Sequence, residues 1–159
     1  MAGPSDASGG LFIAKNKKEE PNMEEKKDTI RVVLCEPGRL ARTVEIGTEL
    51  ADLQKAVGGG LIETYYPFEE EVCIVCNDEG KFNGMRPCRA IYNEDERIVD
   101  IIFGPFFICD CSGENFTSLS DEQLEHYAKQ FRYPEIYFRN NGEIKAIPYD
   151  PSRDRGRAR

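Results

Sequence analysis

The longest apolar stretch of this chain, Ile98 to Cys111, is cut by Asp100, Gly104 and Pro105, and that interruption constrains the fold more than any other feature. A membrane-spanning helix needs about 20 consecutive apolar residues, and this segment does not supply them. Proline removes a backbone donor and glycine opens conformations closed to other residues. The run therefore reads as a strand bent at Gly104-Pro105.

Short strands separated by turn chemistry recur on both sides of it. Ile30 to Cys35 is β-rich, Glu36-Pro37-Gly38 suits a turn, and Leu40, Val44 and Ile46 then alternate with polar residues, so a hairpin is expected. Further strands are predicted at Leu61–Tyr66, Val72–Asn77 and Arg89–Tyr92, with turns at Asp78-Glu79-Gly80, Asn83-Gly84 and Asn93 to Glu96. A closing hairpin spans Glu135–Arg139 and Glu143–Ile147, where Asn141-Gly142 fits a type I′ turn.

Two helices interrupt this pattern. Thr48 is the expected cap of the first, with Leu50, Leu53 and Val57 on one stripe and Gly58-Gly59-Gly60 as its stop. Ser120 and Gln123 make a capping box for the second, and Leu119 with Leu124 a hydrophobic staple. Leu124, Tyr127, Ala128 and Phe131 then share a face, and Tyr133-Pro134 ends the helix. The fold class is α+β, a mostly antiparallel sheet with two helices on one of its faces.

With 159 residues the chain fits one domain, placed at 29–150. Residues 1–28 are rich in Gly, Ser, Pro and mixed charge, and read as a disordered tail whose one apolar island is Leu11-Phe12-Ile13. Residues 151–159 read as a basic disordered tail. Between positions 28 and 150 there are 12 Lys or Arg against 23 Asp or Glu. Such an acidic body disfavours direct binding to nucleic-acid phosphate or anionic lipid. No leader-like segment is legible at the start, so a cytoplasmic location without membrane attachment is expected.

The chain has six cysteines. Cys73-x-x-Cys76 has the spacing of a metal or redox pair, but residues three apart on a strand point to opposite faces. Cys109 and Cys111 share a face; a tetrahedral zinc would need two more ligands from Cys35, Cys88 or His126, so no metal and no cofactor are expected. Buried thiols and no disulfides are the reading for a reducing compartment. His126 lies off the apolar stripe, with no catalytic partner in view. The triple glycine follows a helix, whereas phosphate loops precede one. Glu69-Glu70-Glu71 and Glu94-Asp95-Glu96 read as solvated charge.

The segment from Asn77 to Arg89 gathers two glycine turns, asparagines and three cations into an acidic domain. Asn77, Lys81, Asn83, Arg86 and Arg89 form the candidate ligand-binding set. The two arginines are taken as exposed donors able to clamp a phosphate or carboxylate. The competing reading is a plain hairpin with solvated cations.

Several stretches resemble a small bacterial family of unknown function found on phages and conjugative elements of Gram-positive bacteria. They are Val33-Leu34-Cys35-Glu36-Pro37-Gly38, Leu53-Gln54-Lys55-Ala56-Val57-Gly58-Gly59, Ile62-Glu63, Tyr66-Pro67-Phe68, Cys76-Asn77-Asp78-Glu79-Gly80-Lys81, Arg89-Ala90 and Ile102-Phe103-Gly104-Pro105-Phe106-Phe107-Ile108. Members usually carry Asn where this chain has Cys88. The resemblance implies an accessory protein of a mobile element, one that counters host defence by binding a protein or a small anionic ligand. The rival expectations are an acidic DNA mimic that occupies a restriction or nuclease complex, and an enzyme acting on a nucleotide or peptide. No nucleophile–base pair is legible, so binding is expected over catalysis.

Overall fold

The computed structural model describes residues 28–153; the segment holding Leu11-Phe12-Ile13 lies outside them. Nine strands and two principal helices follow one another: β1 (Thr29–Cys35), β2 (Arg42–Gly47), α1 (Leu50–Ala56), β3 (Ile62–Tyr65), β4 (Val72–Asn77), β5 (Pro87–Tyr92), β6 (Ile98–Phe103), β7 (Phe106–Asp110), α2 (Asp121–Gln130), β8 (Glu135–Asn140) and β9 (Glu143–Pro148). Residues 151–153, expected in the C-terminal tail, are helical, and the Asp150 carboxylate accepts from the Ser152 amide there. Among the described residues, no helix is long and apolar enough to cross a membrane.

A five-stranded antiparallel sheet in the order β2-β1-β7-β4-β3 forms the centre, flanked by the ribbons β5–β6 and β8–β9. The expected Ile98–Cys111 strand is broken at Gly104-Pro105. Its first half pairs with β5, and its second half enters the central sheet between β1 and β4.

Every side chain of β4 is buried, because both faces of the sheet are covered. Val72, Ile74 and Cys76 join one cluster; Cys73 and Val75 join the other. Phe106 and Ile108 alternate with Phe107 and Cys109 in the same way. A strand buried on both faces needs no polar alternation, which is why these segments read as continuous apolar runs.

The helices do not share a face, contrary to the sequence expectation. On one side, α2 packs Leu124, Tyr127 and Phe131, together with the β5–β6 residues Cys88, Ile91 and Ile102. On the other, α1 contributes Leu53 and Val57. Hydrophobic stripes specify that a helix docks, not which side of a two-sided sheet it takes. The cap of α1 also differs from expectation. Glu49 rather than Thr48 is the N-cap, its amide donating to Asp52 Oδ2 at 3.3 Å, and Leu50 is exposed.

The second helix matches its signals. The Gln123 amide donates to Ser120 Oγ at 3.1 Å, and the Ser120 amide donates to Gln123 Oε1 at 3.0 Å. Asn141 and Gly142 both have positive φ, as the β8–β9 turn requires.

Candidate functional site

The stretch from Asn77 to Arg89 is not a hairpin. It carries the chain from β4 in the central sheet to β5 in the outer ribbon, held by Met85 N–H to Gly80 O at 3.0 Å and Asn83 N–H to Glu79 O at 2.9 Å. Gly80 is required there. A Cβ on it would lie 2.4 Å from the Phe103 carbonyl oxygen, so the loop could not seat against β6.

The five predicted site residues do not converge on one point. The buried Asn77 donates through Nδ2 to Val57 O at 3.0 Å and also to Gly59 O, while its Oδ1 accepts from the Glu79 amide at 2.9 Å. It thereby closes the C-terminus of α1, where helix carbonyls lack internal partners. Lys81 Nζ lies 5.4 Å from the Phe103 ring centroid. It borders a small depression of about 210 Å³ that also holds Glu63, Asp78 and Asp100. Burial and the Asp78 carboxylate raise the Glu63 carboxyl above its usual range. Asn83 is exposed on the loop.

Arg86 and Arg89 do converge, and their shared target is the chain's own β1–β2 turn. A Cβ on Gly38 would sit 3.2 Å from Arg86 Nη2. Arg89 is 1% exposed rather than on the surface as anticipated. Its Nε donates to Phe131 O at 2.9 Å, Nη2 to Arg39 O at 2.8 Å, and Nη1 to Cys88 O at 2.9 Å and Glu36 O at 3.5 Å. The guanidinium thus ties together the ribbon, the β1–β2 turn and the C-cap of α2.

Ionised arginine is normally buried only with a partner charge, and here backbone dipoles take that role. Phe131 is the C-cap of α2, where the helix dipole is negative and a cation is stabilised. Nη1 also lies 3.7 Å from Cys88 Sγ, and Nη2 has one acceptor for its two N–H groups, so one Nη2 N–H has no hydrogen-bond partner among the described residues. Sequence gave no sign of this arrangement, because its partners are carbonyls of residues 36, 39 and 131.

A cleft of about 360 Å³ opens beside this arginine. Phe68, Tyr92, Phe131 and Tyr133 supply aromatic walls, with Arg89, Gln130 and Glu135 as its polar members. Glu135 Oε1 accepts from the Ala90 amide at 2.9 Å and from Tyr137 Oη at 2.7 Å. Burial and Glu135 together raise the Tyr137 and Tyr92 hydroxyls above their ordinary range. Glu135 was missed in sequence, since an isolated glutamate opening a strand has no spacing signature. A volume of this order, with apolar walls and a few polar groups, is typical of small-molecule sites.

Glu70 is exposed, as expected of solvated charge, and is also tied to α2. It accepts from Gln123 Nε2 at 2.9 Å and from the Tyr127 hydroxyl, and the Tyr127 bond holds its carboxyl below the usual range. The exposed His126 ring packs edge-on against Tyr127. Cys73 and Cys76 lie in opposite core clusters, as strand geometry required. Burial raises the Cys35 and Cys76 thiols to about 12 and Cys88 higher still, so none is a ready nucleophile.

One family model, described as a domain of unknown function (DUF3846), matches residues 30–132. No curated protein and no solved structure shows a match.

Proposed function

We propose, on the premise that the chain belongs to the DUF3846 family of domains of unknown function, that it is a binding module whose Arg89 cleft takes up a small ligand. The supporting observation is the buried guanidinium with one N–H lacking a partner among the described residues, in a residue that lines an aromatic-walled cleft. A ligand that offers an anionic or carbonyl oxygen to that N–H gains a charge-assisted hydrogen bond in a poorly solvated place. Glu135, whose Oε1 already accepts two bonds, favours a ligand that also carries a donor. The ligand class that fits is a molecule with an acceptor at one edge, an N–H or O–H at another, and an apolar body to lie against the aromatic walls.

Such capture accords with the setting implied by the family resemblance. An accessory protein of a phage or conjugative element, working in the host cytoplasm, blunts a defence response by sequestering a small signal. Catalysis is not part of this reading, because no activated nucleophile accompanies the cleft's carboxylate.

Native mass spectrometry of protein purified from its own host tests the reading. A stoichiometric small-molecule adduct is expected, and it should be lost in a Tyr92→Ala/Tyr133→Ala variant that still melts cooperatively. Both tyrosines are partly exposed, 45% and 39%, so the fold should tolerate the change. An adduct retained by that variant would place the ligand elsewhere.

A further inference from the structure

On the sheet face opposite the cleft, β4 and β7 bring two cysteines together. Cys73 and Cys109 are direct register partners, with sulfurs 3.9 Å apart and both side chains fully buried. Directly opposed residues of antiparallel strands have Cα atoms about 4.5–5.5 Å apart. That range lies inside the roughly 4.4–6.8 Å spanned by a disulfide. Cys111, two residues beyond Cys109 and only partly buried, packs against the same cluster and marks the side nearest solvent. The other three cysteines belong to the opposite cluster.

We propose that Cys73 and Cys109 form a reversible thiol–disulfide site, oxidised by a hydroperoxide. The two sulfurs are not equivalent. Either thiol can donate across the 3.9 Å contact; when Cys109 donates, that bond lowers the Cys73 thiol from its usual value, while the bond and burial raise that of Cys109. In that arrangement Cys73 is the attacking sulfur. Its thiolate bonds to one peroxide oxygen, the O–O bond breaks, and the departing hydroxide takes a proton, leaving a sulfenic acid and water. The Cys109 sulfur then attacks Cys73, the S–O bond breaks, and a second water leaves with the Cys109 proton. Two thiols and one hydrogen peroxide become one disulfide and two waters. Closure moves each sulfur by about 1 Å, from 3.9 Å to a bond of roughly 2.05 Å, so β4 and β7 need not change register.

The test is to treat the folded full-length chain with hydrogen peroxide, block remaining thiols, and map the digest by mass spectrometry. The expected result is a Cys73–Cys109 linked peptide with the loss of two hydrogens, reversed by dithiothreitol and retained in Cys111→Ser. In Cys109→Ser the sulfenic acid should persist on Cys73 and be trapped by dimedone. If Cys109→Ser does not fold, the linkage in Cys111→Ser decides alone. Cys73 and Cys109 recovered as free thiols while Cys111 is oxidised, a link that depends on Cys111, or dimedone on another cysteine would each overturn the site.

Discussion

Arg89 holds three segments together chiefly through backbone carbonyls, with the Cys88 sulfur 3.7 Å from Nη1 as its side-chain acceptor. Replacing it with Leu leaves the carbonyls of Cys88 and Phe131 buried without their donor, and removes the part-buried bond to the Arg39 carbonyl. Each lost partner costs roughly 1–3 kcal/mol, so urea unfolding of Arg89→Leu should show a loss of about 3 kcal/mol or more. Arg86→Ala removes an exposed side chain with no ion pair among the described residues. It should change stability by less than about 0.5 kcal/mol. Similar losses for both would contradict the division between a buried staple and a surface arginine. That division was not legible in sequence: Arg86 and Arg89 sit three apart in one polar stretch, and only the fold decides which turns inward. Nor was their target legible, since both reach the chain's own β1–β2 turn.

Among the elements, α2 was read most completely, because its cap, staple and apolar stripe are all local signals. The loop before β4 adds a contact that no local signal announces, the Glu70 carboxylate accepting from Tyr127 and Gln123. Tyr127→Phe should cost about 0.5–1.5 kcal/mol at neutral pH by chemical denaturation. The pH dependence has a definite sign. The folded Glu70 carboxyl lies below its ordinary value of 4.5, so its contribution is fully present above 4.5 and is lost as pH falls through the lower folded value. Tyr127→Phe should flatten that acid-side decline, and an unchanged slope would remove Glu70 from the account. The side of the sheet that each helix occupies was not legible, since apolar stripes are blind to it. A bend at Gly104-Pro105 was, because proline and glycine act on the backbone itself, but not that it parts β6 and β7 into different sheets.

At the scale of the molecule, the two-sided burial of β4 and β7 separates two sites. The thiol pair lies on the α1 side, and the Arg89 cleft on the α2 side between the outer ribbons. The α+β class and eight strand segments followed from turn residues and apolar runs; the ninth strand arises because the expected Ile98–Cys111 strand divides into β6 and β7. The cleft did not, because Phe68, Arg89, Gln130 and Glu135 come from four separate parts of the chain and no short-range pattern links them. Gly80→Ala should test the packing that lets the loop after β4 reach the ribbon. With the Phe103 carbonyl 2.4 Å from the added carbon, a loss of about 1–3 kcal/mol is expected by thermal unfolding.

The binding role itself is tested most directly by nitrogen-15 NMR of the arginine side chains. The titrant is the small-molecule fraction released when host-purified protein is denatured. The Arg89 guanidinium signal should shift together with the backbone amides of Ala90, Gln130 and Tyr133, while Asn83 and Gly113 stay in place. A native-mass adduct whose titration leaves Arg89 unmoved and shifts amides around Lys81 or Cys111 instead would contradict the assignment of this cleft.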